Sequence, residues 1–521
     1  MNSINKVTTY LKIAIHLSVL AMAGIILFYK FHAGYPGCLA FFDDDFFYYL
    51  KIAENISLHG FSSFNNIHAT NGYNPLWMIF LVPLHKVSCG SGTAQMVLIS
   101  AVIFISMILI YLLARDIFSR FIGGTLLPSL YASFIVYLSI IISWGGMEVH
   151  LTILFALALI RCLMRYEDEL DDPKRAMMLG FLSSLLLLSR LDAFILVLCI
   201  LLFVMPRSCS TLSAYMKRLF FFGAGGLLLP AYFASNMVLF NTFMPISGMA
   251  KQLKNTISFG TGYVNTILLY LKVNIYGRSY MLTTLALTLL AIAGIILRYR
   301  QIKELPSQML LLSCIAFPFL SGIVQSLVSD FPIWPWYLYP WIISFVASLI
   351  VLHNLTKRVN LLRTIGYGAF IGTCLLIFYS YIVTRHISES SPENNGMYVE
   401  AVKISEFFKN DNTSIIGIGD RAGIASYLLK NPVIQLEGLV MDREYLRHIE
   451  NQDNLIKVLK KYEVSYYIIH RIERDSSRCY RVIEPVQGGT VSKKMKGVLC
   501  YAPEHEFTVH NVKTCIFRIS N

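Results

Sequence analysis

Apolar runs of bilayer-crossing length recur between residues 9 and 383, and nothing else in this chain restricts its fold as tightly. They lie near residues 9–30, 93–114, 121–143, 147–165, 176–190, 191–206, 219–240, 279–298, 307–328, 336–354 and 362–383. Hydrocarbon offers a peptide group no hydrogen-bond partner, so each run is expected to be helical. Two of them, 176–190 and 191–206, are short and separated only by "SRLDA". Charged residues make up 14% of the 521-residue chain, against roughly 25% in soluble proteins. A polytopic membrane protein follows. The net charge of +13 does not signal nucleic acid, because Lys and Arg gather in connectors between apolar runs, without interleaved aromatics. The first run lacks a small-residue cleavage site and is expected to remain as a membrane helix.

The connectors are of two kinds, and they alternate. "RDIFSR", "RCLMRYEDELDDPKR", "PRSCSTLSAYMKR", "RYRQIK" and "LTKRVN" are basic. "FFDDDFFYY…NGYNPLW", "SWGGMEVH", "SRLDA", "FNTFMPISGMAKQLKNT" and "SDFPIWPWYLYP" are rich in aromatic, Gly, Pro and acidic residues. The alternation holds if "PLWMIFLVPLHKV" (75–87), too short to span and headed by Pro75, stays at the interface. This predicts about 11 crossings plus interfacial helices, with the N-terminus cytoplasmic and the C-terminus outside. An all-α membrane domain is expected over residues 1–384, with its first external loop at 32–92.

Beyond residue 385 the pattern changes. The β-branched runs "SIIGIGDRAG", "NPVIQLEGLV" and "VSYYIIHRI" alternate with the helix-patterned "MYVEAVKISEFFKN" and "NLIKVLKKY". A soluble, extracytoplasmic α/β domain is expected over 385–521, entered through the polar linker "HISESSPENNG". The ten cysteines show no CxxC or CxH spacing, so no metal or redox site is expected. Cys479, Cys500 and Cys515 leave room for one disulfide if the tail is extracytoplasmic.

The alternating topology gathers unusual polar residues on the external face: Asp43, Asp44, Asp45, Glu148, Arg190, Asp192, Lys251, Trp334, Trp336 and Tyr337. Each also has a structural reading. Asp45 is placed to N-cap the helix "FFYYLKIAENI", whose apolar positions 46, 49, 50, 53 and 56 suit a helix lying on the bilayer. One cap explains one aspartate, not three. Arg190 pairs with Asp192 or meets a ligand, Lys251 is a solvated loop residue or a ligand contact, and the Trp/Tyr cluster alone reads as an interfacial belt. Glu148 at the outer end of a span is costly unless it is paired or faces a cavity. Taken together, carboxylates opposite cations at headgroup depth suit a lipid-linked sugar phosphate. A carboxylate deprotonates an acceptor hydroxyl, and a cation neutralises the leaving phosphate. No GxxxxGKS loop is present, which favours an activated lipid over a soluble nucleotide.

"DDDFFYYLKIAENISLHGFSSFNNIHATNGYNPLW" is similar to the first external loop of bacterial GT-C fold glycosyltransferases, with its acidic pair, aromatic helix, A-x-N and N-G-Y-x-P-L-W. "GGMEVHL", "LSRLDA" and "FNTFMPISGMAK" resemble that group's G-M-E, R-x-D and P-x-S-x-x-x-K signatures, and "GDRAGIASYLLKNPVIQLEGLV" resembles its tail. The comparison is with the arabinofuranosyltransferase-like branch that uses polyprenyl-phosphate sugars, and more distantly with protein O-mannosyltransferases. The resemblance implies a GT-C membrane domain and an inverting transferase of a bacterial inner membrane. It would move a sugar from a polyprenyl-phosphate donor to a glycan or glycolipid acceptor outside; no cofactor is expected, and although Asp43–Asp45 with Glu148 could hold Mg²⁺ or Mn²⁺, base catalysis needs no metal and none is favoured. It places the acidic pair on Asp44 and Asp45, with Asp44 as general base, Asp45 as cap and acceptor guide, and Asp43 as an extra carboxylate. Lys251 and Arg190 are expected to bind the donor phosphate, and Glu148, Asp192, Tyr73, Trp336 and Tyr337 to form the substrate pocket. The rival function is a flippase for a lipid-linked sugar. A flippase would concentrate ionisable groups near the midplane, whereas here they sit at the external ends.

Overall fold

The computed structural model describes residue 24 and residues 30–519, apart from 144, 208, 210, 254–259, 261, 273–274, 304, 306, 330, 357–391, 471, 475–478 and 487–492. Helices occupy the described chain up to Thr356, and sheets dominate from Ile415 onward. Five described helices are long and apolar enough to cross a membrane: Gly92–Phe121, Leu126–Ser143, Tyr280–Leu297, Gln308–Val328 and Pro335–Thr356. Leu212–Gly225 and Leu228–Phe240, bent by 53°, make a sixth if they form one broken span. This is a multi-pass membrane protein. The runs expected at 362–383 and over nearly all of 9–30 lie outside the described residues, as does the domain boundary near 385. The run at 147–165 forms the 17-residue helix Val149–Arg165. The described helices therefore bear out several of the expected crossings without reaching their full count.

Two local breaks position the site. Pro173 opens the helix Pro173–Ser189, with the Asp172 carboxylate accepting the Lys174 N–H. That helix stops where Arg190 turns extended, at φ −158° and ψ 118°, and a short 3-10 turn, Leu191–Ala193, follows. The "SRLDA" divider is thus a true interruption, and it frees the Arg190 side chain from the helix. The second break is Pro75–Val87, a 13-residue helix about 20 Å long, too short to cross.

The first-loop helix Asp44–His59 corrects an expectation. Phe46, Tyr49, Leu50 and Ala53 are buried against protein, so this helix does not rest on the bilayer. The tail covers it: the helix Ala422–Leu428 packs along it, with the Phe47 and Tyr427 rings 5.3 Å apart.

The tail holds a five-stranded mixed sheet ordered β2-β1-β3-β8-β7 and a three-stranded sheet β4-β5-β6. The strands are β1 (Ile415–Ile418), β2 (Val433–Gln435), β3 (Val464–His470), β4 (Glu473–Arg474), β5 (Tyr480–Glu484), β6 (Met495–Leu499), β7 (His505–Val509) and β8 (Val512–Arg518). β1 runs parallel to β2 and β3, which requires helical crossovers, and these are Ala422–Leu428 and the pair Arg443–Glu450 and Leu455–Lys461. The expected strands and helices of 385–461 all form. In the small sheet Tyr480 faces Leu499, so Cys479 and Cys500 continue the ladder as an opposed pair and are disulfide-bonded. Cys515, buried in β8, lies outside this disulfide.

Candidate active site

The ends of these elements, with the first loop and the tail, enclose a cavity of about 240 Å³. Seven of the ten residues singled out in the sequence line it: Asp45, Glu148, Arg190, Asp192, Lys251, Trp336 and Tyr337. They come from five separate stretches of chain. Arg190 is the hub. Its Nη1 donates to Glu148 Oε1 at 2.6 Å, its Nη2 to Asp192 Oδ2 at 2.9 Å, and its Nε to Asp192 Oδ1 at 3.1 Å. The guanidinium also lies 4.3 Å from the centre of the Tyr337 ring, a cation–π distance. Lys251 Nζ donates to the Tyr337 hydroxyl at 3.0 Å, and Tyr339 donates to Asp192 at 3.1 Å. Burial opposes the charge on Lys251, yet Tyr337 and Asp45 outweigh it and hold the ammonium above its ordinary range.

The three aspartates have different surroundings. Asp43 stands at the N-cap position of the first-loop helix without a side-chain capping bond, and its N–H donates to Gly145 O. Its carboxylate fills the space where Gly145 would carry a Cβ. Gly146, at φ +95°, presses on Phe46 and sends its carbonyl to Trp77 Nε1, so both glycines of "SWGGME" are required by contacts. Asp44 points into the tail: Oδ2 accepts the Gly423 N–H at 3.0 Å and Oδ1 the Ile424 N–H at 2.8 Å. A Cβ at position 423 would strike the Asp44 backbone, so only glycine allows this approach. Burial pushes the Asp44 carboxyl up to about 7, with the two N–H donors working against that rise.

Asp45 alone of the three lines the cavity. It does not cap its helix, which begins one residue earlier, at Asp44. Burial pushes its carboxyl up to about 6; nearby Lys251 lowers it, and Asp43, Asp420 and Glu148 raise it. Asp43, Asp44 and Tyr73 are thus not brought into the cavity. Tyr73 instead bonds Ser62 through its hydroxyl at 2.9 Å.

The "NGYNPLW" motif is a cross-link more than a pocket. Asn71 accepts the Ile246 N–H at 3.0 Å, which anchors the loop leading to Lys251. Gly72 packs against the Leu439 carbonyl of the tail, Asn74 donates to Tyr49, and Pro75 starts the short helix. Residues that sequence reasoning passed over include Tyr48, Tyr49 and Asn74, and also Leu439 and Val440 of the tail, which line the cavity directly. The N-G-Y-N spacing is the one sequence signal that pointed toward them. Among the described residues, no group of three or more His, Cys, Asp or Glu is arranged to hold a metal ion.

No protein-family model and no curated protein matches this sequence. Solved structures do match in overall architecture. The archaeal oligosaccharyltransferase AglB from Archaeoglobus fulgidus, in complex with an inhibitory peptide and a dolichol-phosphate, aligns over 87% of this chain and 69% of its own, at 12% identity and a TM-score of 0.49. ArnT from Cupriavidus metallidurans bound to undecaprenyl phosphate aligns over 80% of this chain and 85% of its own, at 11% identity and a TM-score of 0.46. Apo ArnT covers 87% of this chain and 93% of its own, at 12% identity and a TM-score of 0.47. These are likenesses of shape; the chemistry below follows from the cavity's own residues.

Proposed function

We propose that this protein is an inverting glycosyltransferase of GT-C type, with about 11 spans, that moves a sugar from a polyprenyl-phosphate donor to a glycan or glycolipid outside a bacterial inner membrane. One observation carries the proposal: a buried carboxylate, Asp45, shares a cavity with Lys251 and an aromatic wall of Trp336 and Tyr337. The acceptor hydroxyl oxygen attacks the anomeric carbon while the carbon–oxygen bond to phosphate breaks and the phosphate departs with the electron pair. Asp45 takes the hydroxyl proton. A base with a pKa near the working pH is well matched to this task, and burial moves Asp45 in that direction.

Lys251 neutralises charge building on the departing phosphate. Arg190 is already held by Glu148 and Asp192, so its part is to fix the Tyr337 ring and the floor of the cavity. Asp44 holds the tail and Asp43 packs on Gly145, which moves the base one residue along from the position that the resemblance implied. The step as written needs no metal and no nucleotide. The Cys479–Cys500 disulfide supports an extracytoplasmic tail, because such bonds persist in oxidising compartments.

The test is mass spectrometry of envelope glycans and lipid-phosphate sugars after deletion of the protein. Loss of one glycosyl residue with accumulation of its donor is expected. An unchanged glycan with donor retained on the cytoplasmic side would replace the transferase with a flippase.

A further inference from the structure

A second, larger cavity of about 560 Å³ lies at the other end of the first-loop helix, within the roughly 300–1,000 Å³ of small-molecule sites. Four elements meet there: the end of the first-loop helix (Glu54, Leu58), the last turn of Pro75–Val87 (His85, Lys86), the start of Gly92–Phe121 (Gln95) and the tail helix (Tyr427). Its back wall is a chain of hydrogen bonds. Tyr35 and Tyr427 share a bond of 3.1 Å, Tyr427 donates to Gln95 Oε1 at 3.4 Å, and Gln95 Nε2 meets His85 Nδ1 at 3.3 Å. Gln95 is buried in this wall and Tyr35, His85 and Tyr427 are half-buried, with the charges in front of them.

The depth of the cavity can be read from the spanning helix. Val97, Ile105, Leu109 and Leu112 are exposed apolar residues along Gly92–Phe121 and so face lipid. Val97 lies about 7–8 Å below Gly92 along the axis, so the cavity opens at headgroup level. Its rim agrees, because Leu58, which lines it, and Val87, next to Lys86 in the chain, are exposed apolar side chains. Exposed Lys86 and half-buried Glu54 charge its lining: among the described residues Lys86 forms no ion pair, and Glu54 pairs with Lys51 of its own helix at 3.1 Å. A partly exposed i,i+3 pair contributes little, so Glu54 can take another cation.

We propose that this cavity binds the headgroup of a zwitterionic, amine-bearing phospholipid, with the phosphate on Lys86 and the ammonium on Glu54. Acyl chains would leave between Leu58 and Val87 into the bilayer. This site is separate from the reaction cavity and does not depend on the transferase reading.

Cys89 supplies a natural reporter, since it is exposed and lines this cavity. The full-length protein is placed in nanodiscs of phosphatidylglycerol with or without phosphatidylethanolamine, and alkylation of Cys89 is followed by peptide mass spectrometry. Phosphatidylethanolamine is expected to slow alkylation at least tenfold in the wild type, as a charge-assisted phosphate contact would. Glu54→Gln should reduce that protection roughly three- to fivefold, as for a partly exposed ion pair. Lys86→Gln should reduce it roughly tenfold or more, as for a charge-assisted contact. The thermal midpoint of each variant shows that the fold is kept, and wild-type protein alone decides the composition arm. Equal alkylation in both membranes would overturn the proposal. Equal protection by soluble phosphoethanolamine would also overturn it, by showing a site for a free phosphate ester.

Discussion

Two arginines in this chain organise buried carboxylates, and the two clusters differ in what they leave unfinished. In the tail, Arg421 pairs with Glu400 at 3.0 Å, and the same carboxylate takes His470 at 2.7 Å and the Thr514 hydroxyl. Both Glu400 oxygens are occupied, and it is 2% exposed. In the membrane part, Arg190 holds Glu148 and Asp192, yet Glu148 Oε2 has no hydrogen-bond partner among the described residues and borders a cavity. A buried charge with an unmade bond costs about 1–3 kcal/mol, so the two carboxylates are held at different cost. Protonation follows the same division. Burial works against the Glu400 charge, but His470, Thr514 and Arg421 overcome it and hold the carboxyl down at about 2, while burial lifts Asp45 to about 6. The Glu400 carboxylate is fully bonded within the tail, and the Glu148 carboxylate has one oxygen unbonded among the described residues, in a residue that lines the cavity.

The sharpest way to break this contrast is to neutralise one neighbour at a time in the aspartate run. Asp45→Asn is expected to slow transfer by about 10²–10⁴-fold, the usual cost of a lost positioned base, with donor binding kept in equilibrium assays. Asp44→Asn should cost less in turnover and show instead as faster proteolysis of the tail. If Asp44→Asn slows turnover more than Asp45→Asn, the carboxylate with both oxygens satisfied is the catalyst and the contrast fails.

Glu400→Gln tests the closed cluster. Breaking a buried ion pair costs about 3–5 kcal/mol, so denaturant unfolding of the tail should move by that order while the folded fraction keeps its turnover. Lys251→Ala should remove about 1.5–3 kcal/mol of phosphate contact, read as a loss of one to two decades in kcat/KM. Arg190→Ala should act more through stability than through donor affinity, because its charge is already matched.

The smallest effects are in pH, and they run in opposite directions. The Glu400 carboxyl lies below its ordinary 4.5, so its contribution to stability is full above that value and is lost as pH falls toward 2. The Asp45 carboxyl lies above its ordinary 3.8, so ionising it destabilises the fold as pH rises through about 6. Transfer should rise over that same interval as the base loses its proton, and level off above it. A rate profile flat between pH 5 and 7 (roughly one unit either side of the shifted value) would remove Asp45 from the proton step.

Seven cavity residues were legible because each is a polar or aromatic side chain where a connector rich in aromatic, Gly, Pro and acidic residues meets an apolar run, and the alternation of connectors did the rest. The order of roles among Asp43, Asp44 and Asp45 was not legible. It depends on the Gly423 and Ile424 amides, 379 and 380 residues away, and no local pattern carries that information. The first-loop helix misled for the same reason. Its apolar face fits a bilayer and a protein partner equally well, and the partner is the tail. Tyr73 was grouped with the pocket because it sits inside the motif, whereas the contacts of its neighbours Asn71, Gly72 and Asn74 are what tie the loops together.

The amides that satisfy Asp44 also set a timetable. Ribosomes add about 5–20 residues per second, so the 380 residues between Asp44 and Ile424 take roughly 20 to 80 seconds to make. Through that interval the nascent protein has its first loop at the membrane surface with a carboxylate lacking its intended donors. A message cut short before the codon for Gly423 would leave the loop in that state permanently. The intended state of the first loop is therefore reached late in synthesis, when the last quarter of the chain has been made.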